Sequence, residues 1–381
     1  MTLQADPSRR GSWLSASFVF VTLATFLYFT ALGSLLPTLP RYVKRELGGG
    51  GLQVGIAVGA FAVSAALLRP WAGRLGDRRG RRVLVVGGST TVAVSVLGYT
   101  VASSLAVLVL LRLLTGIGEA GLWVGAATAV QDMAPDDRRG EAASYYSVAL
   151  YSGLALGPAI GEHLSQTSFH AEWFFASACA LLAALFGLRT PVGPRFSHRP
   201  GRPLLHPSAL GPGLVLGLGL VPFVGFATFL PLYGDQVGLH SVGSVLFVYA
   251  VLVLAVRIVG ARLPDRLGYR RASTIALIAV GSGAVVVGAW KSVTAVWAAA
   301  VMIAIGMSLL FPALFSATVQ DAPEEERSHA VGTFSLFFDL ANGIGPFVLG
   351  AVVSATSERG AFLASAVVAA FGLWFVRRRR L

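Results

Sequence analysis

The chain has 381 residues, of which 55% are hydrophobic and only 13% are charged. Soluble globular domains carry about 25% charged residues, and a core enclosed by polar surface does not sustain a mean hydropathy of +0.71. These figures exclude a soluble enzyme, a disordered chain and a disulfide-stapled secreted scaffold, and the single Cys179 can form no internal disulfide. The net charge of +12 points toward nucleic acid only until the arginines are placed.

A helix needs about 20 apolar residues to cross a hydrocarbon layer of about 30 Å. Continuous apolar runs predict twelve such helices, near 14–36, 52–70, 83–104, 105–131, 141–163, 171–189, 209–232, 241–261, 272–290, 294–319, 328–354 and 360–376. Strands of a membrane barrel would alternate, and these runs do not. Ala102-Ser103-Ser104 is the only break expected between the third and fourth spans. The first run follows Arg9 and Arg10 but is too long for a signal peptide, and Pro37-Thr38-Leu39-Pro40 lacks the small residues of a cleavage site. The expected fold class is an all-α integral membrane protein with twelve transmembrane helices.

Lys and Arg are retained on the cytoplasmic side of a membrane. One alternating set of connections, with the termini, holds 24 arginines, including Arg69, Arg257 and the run Arg377 to Arg380. The opposite set holds Arg41, Lys44, Arg45, Lys291 and Arg359, and Arg112 falls inside a span. Both termini are expected in the cytoplasm of a cell with the protein in its plasma or inner membrane. The positive charge is then a topology signal, and no nucleic-acid partner is expected.

The sequence repeats itself. Arg69, Arg74, Leu75, Asp77, Arg78, Gly80 and Arg82 recur 188 residues later as Arg257, Arg262, Leu263, Asp265, Arg266, Gly268 and Arg270, and Gly157-Pro158 recurs as Gly345-Pro346. Six spans separate each pair, which predicts two parallel six-helix halves, 1–189 and 209–381, joined by a cytoplasmic linker at 190–208. Halves related in this way can rock about a site between them.

The connection after span two reads Gly73-Arg74-Leu75-Gly76-Asp77-Arg78-Arg79-Gly80-Arg81-Arg82. Glycine permits a tight interhelical turn, and Asp77 can accept from a helix N-terminus or from facing arginines. The loop is either a conformational latch or a plain basic turn; its recurrence at Asp265, Arg266 and Gly268 favours the latch. Gly153, Gly157 and Gly161 recur every four residues along span five, a smooth stripe for close helix approach, with a bend expected at Pro158. That stripe is placed at the interface between the halves.

These residues resemble the major facilitator superfamily. Gly73 to Arg82 matches the family's loop signature at every position. Gly33 to Pro40 is similar to a pattern of twelve-helix exporters, Arg112-Leu113-Leu114-Thr115-Gly116-Ile117-Gly118 to a motif linked with proton coupling, and Gly153 to Gly161 to the antiporter motif of drug–proton exchangers. The resemblance implies a rocker-switch secondary transporter, and lines its central cavity mainly with spans one, four, seven and ten. Tyr28, Trp123, Tyr146, Phe226, Phe311, Phe338 and Asn342 are the substrate-cavity candidates on that basis.

An unpaired charge at mid-membrane costs about 2.5–3.5 kcal/mol on insertion scales. Among the acidic residues only Glu119 and Asp339 fall deep inside predicted spans, so both are proton-carrier candidates. Arg112, Gly116, Glu119 and Trp123 share one helical face. Arg112 and Glu119 are about 10.5 Å apart in rise, too far for an easy bridge, but they can flank one polar cavity. Ser335, Asp339 and Asn342 share a face of span eleven. Many exchangers of this family carry an acidic residue in span one, and Trp13 to Leu36 has none.

No phosphate-binding loop, hydrolase motif or metal-ligand cluster occurs, so no catalytic residue, metal or cofactor is expected and the proton gradient is the expected energy source. The expected protein is a monomer in the bilayer that exports a small organic compound, drug-like or a metabolite, in exchange for protons. Import of a sugar or small acid by symport or uniport is the alternative, and a non-transporting receptor on the same scaffold a remoter one.

Overall fold

The computed structural model describes residues 15–135, 138–193, 205–259, 263–323 and 326–378. Its described residues form twelve long helices and no strand: α1 Ala16–Arg45, α2 Gly51–Arg79, α3 Arg81–Leu97, α4 Leu105–Met133, α5 Arg139–Thr167, α6 Phe169–Gly187, α7 Pro207–Val237, α8 Val242–Val259, α9 Leu263–Ala289, α10 Val293–Gln320, α11 Arg327–Ala355 and α12 Glu358–Arg378. Eleven are long and apolar enough over their described residues to cross a bilayer. The exception is α5, whose apolar content is diluted by Gly153, Gly157, Pro158, Gly161 and the tyrosines Tyr145, Tyr146 and Tyr151.

Serine side chains start several helices by accepting an otherwise orphaned backbone N–H. Ser15 caps α1, Ser168 caps α6, and Ser104 and Ser292 cap α4 and α10 at matching places in the repeat. The turns repeat as well. Gly80, between α2 and α3, has φ 93° and ψ 160°, and Gly268, where α9 bends, has φ 72° and ψ 151°. Side chains other than glycine rarely adopt this backbone.

Helices run further than the apolar pattern predicts. α1 continues through Pro37 and Pro40 to Arg45, as membrane helices tolerate proline where they pack against other helices. α2 continues to Arg79, ten residues and about 15 Å beyond Arg69. Arg69 is therefore an interior residue and not part of the basic loop.

Within the first half, α1 packs on α5 and α6, and α4 on α2 and α3; in the second, α7 packs on α11 and α12, and α9 on α10 and α12. The halves meet along α2 with α11 and along α5 with α8, pairs that the repeat makes equivalent. The glycine stripe of α5 is not at either seam. A Cβ on Gly153, Gly157 or Gly161 would sit 2.5, 2.6 or 2.1 Å from the α1 carbonyls of Phe26, Thr30 and Ser34. The stripe thus packs within the first half, which corrects its predicted interfacial place. The smooth stripe between the halves belongs to α2: Gly55 would meet the Pro346 carbonyl at 2.1 Å and Gly59 the Gly343 carbonyl at 2.3 Å. Apolar periodicity does not distinguish these two contacts, since both are small-residue rows.

One face of the molecule, where α1 passes to α2, is closed by polar contacts between the halves. Asp235 at the end of α7 accepts from Arg41 at 3.2 Å and Arg45 at 2.9 Å. Glu162 pairs with Arg41 at 2.9 Å and accepts the α8 N-terminal amides of Val242 at 3.0 Å and Gly243 at 2.6 Å, where partial positive charge favours a carboxylate. Leu52 donates to Ser354 Oγ at 2.9 Å. At the opposite, arginine-rich face the hydrogen bonds of Arg81 to Asp132, of Arg82 to Thr190 and between His206 and Glu326 each stay within one half.

Candidate functional site between the two halves

Arg69 reaches from α2 to both other walls of the centre. Its Nη2 lies 3.1 Å from Glu119 Oε1 on α4, and its Nη1 lies 2.9 Å from Asp339 Oδ2 on α11. The three side chains are 15%, 7% and 5% exposed, so the cluster is withdrawn from bulk solvent. The guanidinium also lies over the Trp123 ring, 5.2 Å from its centroid. One arginine therefore holds a carboxylate of its own half and a carboxylate of the other half together.

The cluster is incompletely satisfied. Arg69 Nε and Glu119 Oε2 are buried without a hydrogen-bond partner in the described structure, as are the hydroxyls of Tyr28 and Tyr146. Both tyrosines lie within electrostatic range of Glu119 and Arg69. Unsatisfied polar atoms buried together are costly, and a site that exchanges protons or ligand is where such cost is tolerated.

Glu119 and Asp339, singled out separately in the sequence, are thus brought together, and Trp123 joins them. The residue that unites them was missed. Its signal was the uncharged gap of Pro70, Trp71, Ala72 and Gly73 between Arg69 and the next charge, Arg74, which sets Arg69 apart from the basic run.

Arg112 donates to backbone carbonyls rather than to either acid of this cluster. It is 4% exposed, its Nε and Nη2 donate to the α2 carbonyls of Ala57 and Val58 at 3.0 and 3.1 Å, and it covers the Phe61 ring. Beside it Gly116 lets α4 touch the Phe61 carbonyl, and Ser64 Oγ donates to the Leu113 carbonyl at 2.8 Å. Arg112 fastens α4 to α2 because helix carbonyls there are nearer than any acid. Asn342 donates to the Phe338 carbonyl of its own helix at 2.9 Å, so this amide group turns back on α11. Phe226 is fully enclosed and meets Phe362 of α12. Phe338 is half-buried on α11, and Phe311 lies under Arg257.

The side chains of Asp77 and Asp265 lie outside the described residues. Around them, Arg78 and Arg266 are exposed. Arg81 pairs with Asp132 at 3.2 Å, its backbone N–H donates to the Val192 carbonyl at 2.9 Å, and Arg82 donates to the Thr190 carbonyl at 2.7 Å. A Cβ on Gly80 would meet the Val192 carbonyl at 2.5 Å, whereas Gly73 has open space beside it. The loop signature thus ties α3 to the ends of α4 and α6.

The family model described as Major Facilitator Superfamily matches residues 21–271 and 237–381. The chain belongs to the major facilitator superfamily. It is 30% identical over 377 residues to the MFS-type transporter STM4428 of Salmonella typhimurium, covering 92% of this chain and 93% of that relative. Over 185 residues it is 30% identical to the quinolone resistance protein NorA of Staphylococcus aureus, covering 49% of this chain and 47% of NorA. A bacterial homolog of the human lysosomal transporter Spinster, crystallised inward-facing and unoccupied, aligns with a TM-score of 0.78 at 19% identity, covering 98% of this chain and 97% of the other. The protein is a multi-pass membrane transporter with the all-α fold of this superfamily, as its sequence predicts.

Proposed function

We propose that this transporter exports a small organic compound in exchange for protons, with Asp339 as the proton carrier. The observation that carries the reading is the single arginine shared by Glu119 and Asp339 across the two halves. Two carboxylates and one guanidinium leave one excess negative charge in a weakly solvated site. Like charges so placed favour uptake of a proton by one of them. Asp339 is the member whose neutralisation matters mechanically, because its pair with Arg69 spans the halves, while the Arg69–Glu119 pair lies within one.

Arginine bias places the arginine-rich face in the cytoplasm of a bacterial inner membrane, and the polar seal at the other face then closes the outside. With Asp339 deprotonated and paired with Arg69, the centre is ready to load a compound from the cytoplasm. After rocking, a proton from outside neutralises Asp339, releases Arg69 to Glu119 alone, and permits return. The partial likeness to NorA, a quinolone resistance protein, supports export of drug-like compounds over import.

Proton flux in inverted vesicles, screened over a chemically mixed compound panel, tests this. Compound-driven proton movement is expected in the wild type and absent in Asp339→Asn. Undiminished coupled movement in folded Asp339→Asn overturns the assignment.

A further inference from the structure

Arg257 stands 188 residues after Arg69, and its surroundings are the repeat of the Arg69 site with every acid replaced. Tyr151 occupies the place of Asp339, Phe311 that of Trp123, and Met307 that of Glu119, each at the same offset. The α5–α8 seam repeats the α2–α11 seam, so the arginine stands at the equivalent place between the halves. Its Nη1 donates to the Tyr151 hydroxyl, and its guanidinium carbon lies 4.7 Å from the Tyr151 ring centroid and 5.7 Å from that of Phe311. Its Nε is buried without a hydrogen-bond partner, and no carboxylate pairs with it among the described residues.

A guanidinium inside a membrane protein normally meets a carboxylate or backbone carbonyls, as Arg69 and Arg112 do here, because an uncompensated charge in that layer is costly. Aromatic faces compensate a cation only in part. Arg257 keeps a planar donor fork suited to a carboxylate, bordered by an aromatic wall in which Phe311 stacks on Phe315 and Phe334 meets both edge-on. Arg257 also lies at a seam that must open and close, since Tyr151 is on α5 of the first half and Arg257 on α8 of the second.

We infer that Arg257 binds the anionic group of the transported compound, which is an organic carboxylate carrying an apolar or aromatic body. The fork takes the carboxylate, the Tyr151 hydroxyl adds a donor, and Phe311 and Phe315 take the body. This rests on the export reading for the direction of movement. Expelling a monoanion while admitting a proton moves charge twice in the direction an inside-negative potential favours, whereas proton symport of the same anion would be electrically silent.

The test is binding to the purified full-length protein in neutral detergent, read by thermal unfolding. The probes are 4-phenylbutyrate and 2-naphthoate, each with its amide and its matched primary amine, with and without phosphatidylglycerol. The carboxylates are expected to stabilise the wild type and the amides and amines not to. A charge-assisted contact predicts binding about tenfold or more weaker in Arg257→Gln, while Arg257→Lys keeps the preference for carboxylate over amide at reduced affinity. The lysine variant and the wild-type probe series decide the matter if the glutamine variant does not fold. The inference is overturned if no carboxylate binds, if amides bind equally, if folded Arg257→Gln binds as well as wild type, or if phosphatidylglycerol alone stabilises through Arg257 and displaces the probes. Proton flux in Asp339→Asn reads the coupling assignment separately, so either can fail while the other stands.

Discussion

Arg69 sits between Glu119 and Asp339, whereas Arg257, at the matching place of the second half, sits between Tyr151 and Phe311. Helix order, glycine turns and serine caps are shared by the two halves, so the difference lies in three side chains on a common frame. One site is over-supplied with negative charge and the other pairs with none among the described residues. Duplication supplied two arginines at the seams, and divergence at the partners separates an arginine held by two carboxylates from one held by aromatic side chains. The asymmetry also runs across the seam: each arginine touches the opposite half, through Asp339 in one case and Tyr151 in the other.

The strongest way to break the comparison is Arg69→Leu. It leaves two carboxylates facing each other without a cation, and removing one partner of a buried ionic cluster costs about 3–5 kcal/mol. A lower unfolding temperature and complete loss of compound-driven proton flux are expected. Arg257→Leu removes no ion pair, so its unfolding temperature should fall less. Equal destabilisation by the two would mean that the acids contribute little to the first site.

Much of this was legible before any coordinates. Twelve helices, the two-fold repeat and the burial of Glu119 and Asp339 follow from apolar runs, a fixed offset and the place of the two acids inside predicted spans. What did not follow were the contacts that depend on which faces meet. Arg69 was assigned to a basic loop because its charge ends the apolar run, although the helix continues to Arg79. The acceptors of Arg112 could not be read from its helical face: a buried cation must find acceptors, and it finds the carbonyls of Ala57 and Val58 on α2. The rows Gly51-Gly55-Gly59 and Gly153-Gly157-Gly161 have the same spacing, yet only the first lies between the halves. The capping of α8 by Glu162 requires knowing that α8 begins beside the end of α5.

Two substitutions sharpen the comparison by converting one site toward the other. Tyr151→Asp supplies Arg257 with the carboxylate that Asp339 supplies to Arg69. A new ion pair across the α5–α8 seam is expected to slow turnover by about tenfold, the equivalent of about 1.4 kcal/mol on the opening step, and to abolish carboxylate probe binding. Retained probe binding would place the anion elsewhere. Glu119→Met installs the residue found at position 307 of the second half. It removes the excess negative charge, so Arg69 and Asp339 become a matched pair with less tendency to take up a proton. Coupled proton movement should fall several-fold, within the few kcal/mol that one charged hydrogen bond represents, with the protein no less stable than wild type. Unchanged coupling in this variant would show that the competition between the two acids is not what drives protonation.

The mildest change is Trp123→Phe, which copies Phe311 into the first site. Trp is the better partner for a cation, but Phe retains the ring face, and the difference between them is at most about 1 kcal/mol of a contact worth roughly 0.5–2 kcal/mol. Arg69 keeps both carboxylates, so proton flux should drop no more than a few-fold, while Trp123→Leu, which removes the ring, should drop further. The graded outcome would mean that the ring serves to hold the guanidinium between its two acids. A Phe variant as inactive as Arg69→Leu would mean instead that the indole itself meets the transported compound. The aromatic body would then lie on the first site while its anionic group reaches the second, and the two sites would be ends of one cavity.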